Sequence, residues 1–79
     1  MSKESVYFTV SDLRDLHDEK EIKKGLDALH GVISVSVNSD THRVAVDYDS
    51  TGVSRGMIES SLEKLGFQAV EAGEEWRSR

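Results

Sequence analysis

Apolar and polar residues alternate along three stretches of the chain, with the period of two that is typical of half-buried strands. The first stretch, residues 6–10, reads Val-Tyr-Phe-Thr-Val, and its β-branched and aromatic residues favour extended backbone. Residues 32–37 and 43–47 flank the turn-forming segment Asn-Ser-Asp-Thr, and therefore predict an antiparallel hairpin. A shorter apolar stretch at residues 67–70 predicts a fourth strand.

The segments between these strands have instead the i, i+4, i+7 apolar spacing of amphipathic helices. The apolar stripes are Ile22, Leu26 and Leu29 in the first segment and Ile58, Leu62 and Leu65 in the second. We predict that the first helix starts near Asp18, which has capping-box spacing with Glu21, and that Gly31 ends it. We predict Ser54 as the N-cap of the second helix and Gly66 as the glycine that ends it.

The order strand, helix, strand, strand, helix, strand predicts one α+β domain of the ferredoxin-like β-α-β-β-α-β type. Its four strands form an antiparallel sheet, and both helices cover one face of that sheet. We expect the domain to span residues 5–72. It would lie between a flexible N-terminal segment, residues 1–4, and a charged C-terminal tail, residues 73–79.

Composition and charge narrow the function classes that this fold can serve. The chain has 79 residues, no cysteine and a formal net charge of −5. Without cysteine it has no disulfide, thiolate metal site, redox dithiol or cysteine nucleophile. Its short basic cluster, Lys20, Lys23 and Lys24, lies among acidic residues, so we expect no nucleic-acid partner.

No apolar run has the length of a membrane span and no signal peptide is evident, so we expect a cytoplasmic protein. We also expect a monomer.

Four segments together carry a family resemblance. Residues 26–32, 35–37, 44–49 and 58–67 read Leu-Asp-Ala-Leu-His-Gly-Val, Val-Ser-Val, Val-Ala-Val-Asp-Tyr-Asp and Ile-Glu-Ser-Ser-Leu-Glu-Lys-Leu-Gly-Phe. They resemble the leucine-rich helix end, the Gly-Val, the hairpin and the final Lys-Leu-Gly-aromatic of heavy-metal-associated domains. The resemblance implies the ferredoxin-like fold and a role in metal transport or homeostasis, either as a small free protein or as a module of a longer one.

In that family the first loop carries Gly-Met-x-Cys-x-x-Cys, whose two thiolates bind copper(I), zinc or other soft ions. Counted from either side of the loop, the resemblance places Asp12 at the glycine and Leu13 at the methionine. It places Asp15 and Asp18 at the two cysteines, with His17 between them. The scaffold of the family therefore persists in this sequence while its sulfur ligands do not.

Asp15, His17 and Asp18 put two carboxylates and an imidazole within four residues. Such oxygen and nitrogen donors suit a divalent ion such as zinc or nickel, whereas copper(I) prefers thiolate and thioether, so we expect no copper(I) site. A purely structural interpretation stays open beside this one, with Asp18 as the N-cap of the first helix and Asp15 as a solvated loop residue.

Enzymatic activity is not expected, because the sequence contains no Ser-His-Asp arrangement, phosphate-binding loop or His-x-x-x-His pair. Two other functions remain as alternatives to metal binding. A metal-free interaction module would dock a protein partner through the first loop and the face of the first helix, where Arg14, Lys20, Lys23 and Lys24 provide charge. The other alternative is small-molecule sensing across a sheet edge, for which the sequence has no pocket motif.

Overall fold

The computed structural model describes residues 3–72 and confirms the predicted order of elements. The elements are β1 (Lys3–Val10), α1 (Leu16–Asp27), β2 (Val32–Asn38), β3 (Arg43–Asp49), α2 (Arg55–Lys64) and β4 (Ala69–Ala72). The strands form one sheet in the order β2-β3-β1-β4, and every neighbouring pair is antiparallel. This is the ferredoxin-like α+β architecture that the sequence predicts.

One hydrophobic core lies between the sheet and the helices. Alternate strand residues and the two helical stripes fill it, as the periods of two and 3.6 require. Its members are Val6, Phe8, Val10, Val35, Val44, Val46, Tyr48 and Ala69 from the strands, Ile22, Leu26, Ile58 and Leu62 from the helices, and Leu13, Val53 and Phe67 from the connections. Each fully buried Leu or Ile contributes about 2 kcal/mol, so packing holds α1 against β2 and α2 against β4. Among the described residues, no helix has the length and apolarity needed to cross a bilayer.

The N-cap of α1 is Asp15 and not the predicted Asp18. Asp15 has extended backbone, with φ −152° and ψ −175°, and its side chain accepts a hydrogen bond from the Asp18 N–H. The helix ends at Asp27, so that Leu29 of the predicted stripe lies beyond it, although Leu29 still packs against the core. The prediction was wrong because both aspartates have cap chemistry, and only the backbone conformation distinguishes them.

The start of α2 is as predicted. The Ser54 side chain accepts the Met57 N–H at 3.2 Å, which satisfies one of the free donors of the first turn. Val53 and Ile58, on either side of this cap, are both buried, as in a hydrophobic staple. Gly66 follows the helix with a φ of +98°.

The first strand is longer than predicted. It begins at Lys3, so Lys3 and Glu4 of the predicted flexible segment, residues 1–4, pair with β3. Residues 1 and 2, and the predicted charged tail at 73–79, lie outside the described residues. The remaining extent of the domain, residues 5–72, stays a prediction.

Three connections meet at the end of the sheet where β1 stops. Antiparallel pairing places the start of β3 beside Thr9 and the start of β4 beside Val10. The loop 11–15, the β2–β3 turn at 39–42 and the α2–β4 connection at 65–68 therefore lie at the same end of the domain. The candidate site is at this end.

Candidate metal site

The loop 11–15 is anchored on both sides of the domain. Leu13 is completely buried, and its N–H donates to the Val10 carbonyl oxygen at 3.2 Å. The Asp12 carboxylate accepts the Gln68 N–H, at 3.2 Å to Oδ1 and 3.4 Å to Oδ2. Leu13 thus anchors the loop in the core, and the Asp12 carboxylate anchors it to the Gln68 N–H just before β4. Together they fix the backbone that leads into α1.

Asp15 and Asp18 form a reciprocal pair around the first turn of α1. Asp15 Oδ1 accepts the Asp18 N–H at 3.1 Å, and Asp18 Oδ2 accepts the Arg14 N–H at 3.0 Å. In a capping box the side chain at N3 accepts the N–H of the N-cap residue. Here the N3 residue, Asp18, accepts instead the N–H of Arg14, one residue before the N-cap. Asp18 is only 8% exposed, and this hydrogen bond offsets part of the cost of burying its carboxylate. Each carboxylate therefore uses one oxygen for structure.

The structure brings the three predicted ligands together. One donor atom each from Asp15, His17 and Asp18 lies within 4.8 Å of the other two. His17 Nδ1 is 3.9 Å from Asp18 Oδ1, which is the oxygen that does not accept the Arg14 N–H. The His17 side chain is 79% exposed, so its ring can turn toward or away from the carboxylates.

The donor set fits a small divalent ion after modest side-chain movement. Zinc binds nitrogen and oxygen donors at about 2.0–2.2 Å in a tetrahedron, which separates neighbouring donors by about 3.4 Å. The His17 Nδ1–Asp18 Oδ1 separation is longer, at 3.9 Å, but the His17 side chain is exposed and can rotate inward, whereas Asp15 Oδ1 is held in the helix cap. Against an ion, Arg14 Nε lies 3.7 Å from Asp18 Oδ2 and supplies a competing positive charge. An ion at this position would therefore meet three oxygen and nitrogen donors and one competing cation.

The residues present do not fit copper(I). Leu13 stands where the family resemblance places a methionine, and its side chain is buried in the core. The sequence has no cysteine, and Met57 lies in the first turn of α2, beyond the far end of β3. Copper(I) prefers thiolate and thioether ligands, and the cluster at the loop consists of oxygen and nitrogen.

The four basic residues predicted for docking are all exposed. Lys20, Lys23 and Lys24 lie on the solvent side of α1, and Arg14 precedes its N-cap. Of the four, Arg14 lies beside the candidate ligands, with its Nε 3.7 Å from Asp18 Oδ2.

A further carboxylate at this end was not predicted from the sequence. Glu19 Oε2 accepts the Ser39 N–H at 2.7 Å and so joins α1 to the β2–β3 turn. Hydrogen bonds from the Ser39 side chain and backbone lower the pKa of Glu19 below its ordinary value. The two residues are 20 positions apart, and no local pattern signals their contact.

Several solved structures are similar to this one. Oxidized MerP from Ralstonia metallidurans CH34 has a TM-score of 0.86 at 18% identity, with 91% of this chain and 100% of that chain covered. A putative copper-ion-binding protein from Bacillus anthracis str. Ames has a TM-score of 0.83 at 25% identity, with 87% and 97% covered. A copper-binding domain from a P-type ATPase has a TM-score of 0.84 at 25% identity, with 91% and 97% covered. The likeness to MerP, at its low identity, bears on the fold alone.

Sequence comparison assigns the family directly. No curated protein is significantly similar to the chain. The profile of the heavy-metal-associated domain matches residues 7–68, which is most of the chain and includes the loop, both helices and the hairpin. Together with the ferredoxin-like topology, this match confirms the resemblance seen in the sequence. The chain belongs to the heavy-metal-associated domain family, as a member without cysteine.

Proposed function

We propose that the chain is a non-enzymatic module of metal homeostasis that binds a divalent ion, such as zinc or nickel, weakly through Asp15, His17 and Asp18. The observation that carries the proposal is the group of three donor atoms within 4.8 Å of one another. Two similar structures at 25% identity are described as copper-binding, which supports a role in handling metal ions. The oxygen and nitrogen donors favour a borderline ion in place of copper(I).

Each ligand has a distinct part in this proposal. Asp18 is held by the Arg14 N–H and offers Oδ1 from a nearly buried position, which makes it the fixed ligand. His17 offers Nδ1 and favours zinc or nickel over calcium or magnesium, which take oxygen ligands. Asp15 offers its second oxygen and the second negative charge. Because two of the three ligands are exposed, the ion exchanges readily, and this suits transfer better than storage.

The test is a ¹⁵N–¹H correlation titration of the metal-free protein with zinc and then nickel. Shifts confined to residues 12–19 that saturate at one equivalent are expected. Protons should be released at the same time, because His17 must be neutral to coordinate. An absence of shifts below about millimolar metal, the range of the weakest protein sites, would contradict the proposal.

Matched variants separate the ion site from the helix cap. Asp15→Asn keeps the capping acceptor, since asparagine caps as well as aspartate, but removes the charge. His17→Ala removes the nitrogen ligand, and His30→Ala, an exposed histidine after the other end of α1, is its control. We expect at least about tenfold weaker binding for the first two variants and no change for the third. If His17→Ala and His30→Ala behave alike, the ligand assignment is wrong.

The second candidate function is metal-free docking of a protein partner through Arg14, Lys20, Lys23 and Lys24. It is supported by the exposure of all four basic side chains in a chain whose net charge is −5. A poly-glutamate peptide should then shift signals around α1 in the metal-free protein, and high salt should remove the shifts. Shifts that include neither α1 nor β2, the strand it packs against, would contradict this candidate. A cytoplasmic location and a monomeric state remain predictions.

A further inference from the structure

From Ser34 to Asn38, the described structure gives the outer edge of β2 none of the usual protection against strand pairing. Within residues 3–72, β2 is the last strand of the sheet and pairs with β3 alone. Its seven residues, Val-Ile-Ser-Val-Ser-Val-Asn, include no charge and no proline, and Ile33 is 54% exposed. Natural edge strands are usually blunted by charges, proline or short length. The opposite edge strand, β4, has four residues and carries Glu71.

An open groove of about 290 Å³ follows this edge on the side of α1. Its walls are Val35, Ser36 and Val37 from β2 and Leu16, Glu19, Lys20 and Lys23 from α1. Leu16 is 69% exposed although it is a large apolar residue. An irregular register lies between Val32 and Ser34, whereas the strand beside the groove pairs regularly with β3. The groove therefore combines a regular strand edge with an exposed apolar side chain.

The charges in the groove indicate its occupant. The groove has two positive charges, Lys20 and Lys23, against one carboxylate, Glu19, which is directed to the Ser39 N–H at 2.7 Å, and β2 contributes no charge. A second copy that paired through β2 about a twofold axis would add two more lysines and one more carboxylate to the same face, and would leave the excess positive charge unpaired. An extended segment with carboxylates would instead pair with Lys20 and Lys23.

We propose that β2 accepts an acidic, extended segment of a partner protein as a fifth strand. The main chain of the segment pairs with the free edge of β2, and its alternate side chains point toward α1. Acidic side chains on that face meet Lys20 and Lys23, and an apolar one covers Leu16. The proposal rests on the protein-interaction candidate above, to which it adds a docking edge and a partner chemistry, and it does not depend on the ion site.

The test selects binders from a displayed library of random short peptides, with the whole chain as target and a chelator present. The enriched peptides should alternate apolar and acidic residues. The strongest of them, made synthetically, should shift the amide signals of β2 and protect them from hydrogen exchange. Lys23→Glu should weaken this peptide about fivefold, and Lys24→Glu about twofold at most, since exposed ion pairs and their reversal are worth this much. Lys24 is the matched control because it neighbours Lys23 on α1 but does not line the groove.

Other outcomes would overturn the proposal in distinguishable ways. Equal losses in Lys23→Glu and Lys24→Glu, with shifts around α1 alone, would leave the interaction candidate standing without the added strand. Shifts in β2 that depend on protein concentration and appear without peptide would identify a second copy as the occupant. Enrichment of basic or neutral peptides, or no enrichment at all, would refute both the partner chemistry and the edge.

Discussion

Both helices begin with an N-cap side chain, yet among the described residues a cluster of potential metal ligands lies only at the start of α1. In α1 the Asp15 side chain accepts the Asp18 N–H at 3.1 Å, and in α2 the Ser54 side chain accepts the Met57 N–H at 3.2 Å. The first turn of α1 contains two more carboxylates, Asp18 and Glu19, whereas that of α2 contains none. A neutral hydroxyl is thus sufficient for the cap, and the acidic oxygens at α1 exceed what capping requires.

This difference shows that the excess charge at α1 must be explained by something other than helix termination. Acidic side chains near a helix N-terminus gain about 0.3–1 kcal/mol from the macrodipole. The same carboxylates also tie α1 to the residue before its cap and to the β2–β3 turn. Substitutions at equivalent positions of α1 and α2 distinguish the contribution of a residue to stability from its contribution to ion binding.

The largest loss in the free energy of unfolding is expected for substitutions of the glycines that follow the two helices. Gly31 has φ +99° and Gly66 has φ +98°, so alanine is strained at either position. A Cβ at Gly31 would lie 2.9 Å from the Gly52 carbonyl carbon, whereas a Cβ at Gly66 would have no atom within 4 Å. Gly66→Ala should therefore cost about 1 kcal/mol and Gly31→Ala about 3 kcal/mol. Urea unfolding of both variants measures this, and equal losses would show that the two halves are packed alike.

The next largest loss of stability is expected at the third residue after each N-cap, which is Asp18 in α1 and Met57 in α2. Asp18→Ala removes the acceptor of the Arg14 N–H from a nearly buried position and should cost about 1–2 kcal/mol. Met57 is 53% exposed, so Met57→Ala should cost about 0.5 kcal/mol at most. Thermal unfolding of the two variants compares them. A loss at Met57 as large as that at Asp18 would remove the distinction between the two first turns.

Exchange of the N-caps should have small effects on stability and a large one on ion binding. Asp15→Ser and Ser54→Asp each keep a capping oxygen, so both should stay within about 0.5 kcal/mol of the parent. Asp15→Ser should also abolish the zinc-induced shifts at residues 12–19, while Ser54→Asp should leave them unchanged. If Asp15→Ser still binds zinc as the parent does, the charge at the cap serves the helix alone.

The smallest effect is a dependence of stability on pH that has no counterpart in α2. The folded pKa of Glu19 lies below 4.5, because of its hydrogen bonds with Ser39. The contribution is therefore present above pH 4.5 and is lost as the pH falls through the lower, folded value. Glu19→Gln should reduce the loss of stability at acidic pH. The free energy of unfolding, measured from neutral to strongly acidic pH, tests this. Two other carboxyl groups give the acid dependence that remains in the variant. The pKa of Asp47 is lowered mainly by the Ser5 hydroxyl, and that of Asp49 mainly by the Thr51 hydroxyl.

The parts of the molecule that follow from periodicity and local caps were predictable. The six elements, the ferredoxin-like order and the Ser54 cap depend on residues that are close in sequence. The cap of α1 was assigned to the wrong aspartate, because two residues of the same chemistry stand three positions apart. The Glu19–Ser39 and Asp12–Gln68 hydrogen bonds join residues 20 and 56 positions apart, and such contacts leave no local pattern. Asp15, His17 and Asp18 could be proposed as ligands from the sequence because they stand within four residues, and their role stays a prediction.

The bond between the Asp12 carboxylate and the Gln68 N–H also has a consequence for the order of folding. It closes a loop of 56 residues, whereas the caps of α1 and α2 close within three. Contacts of such long separation form late, since the entropy of loop closure must be paid before they contribute. The helices and the hairpin can therefore form while the Asp12 side of the loop is still unfixed. The loop reaches its final backbone only when β4 docks, so we expect the candidate ion site to be completed late in folding.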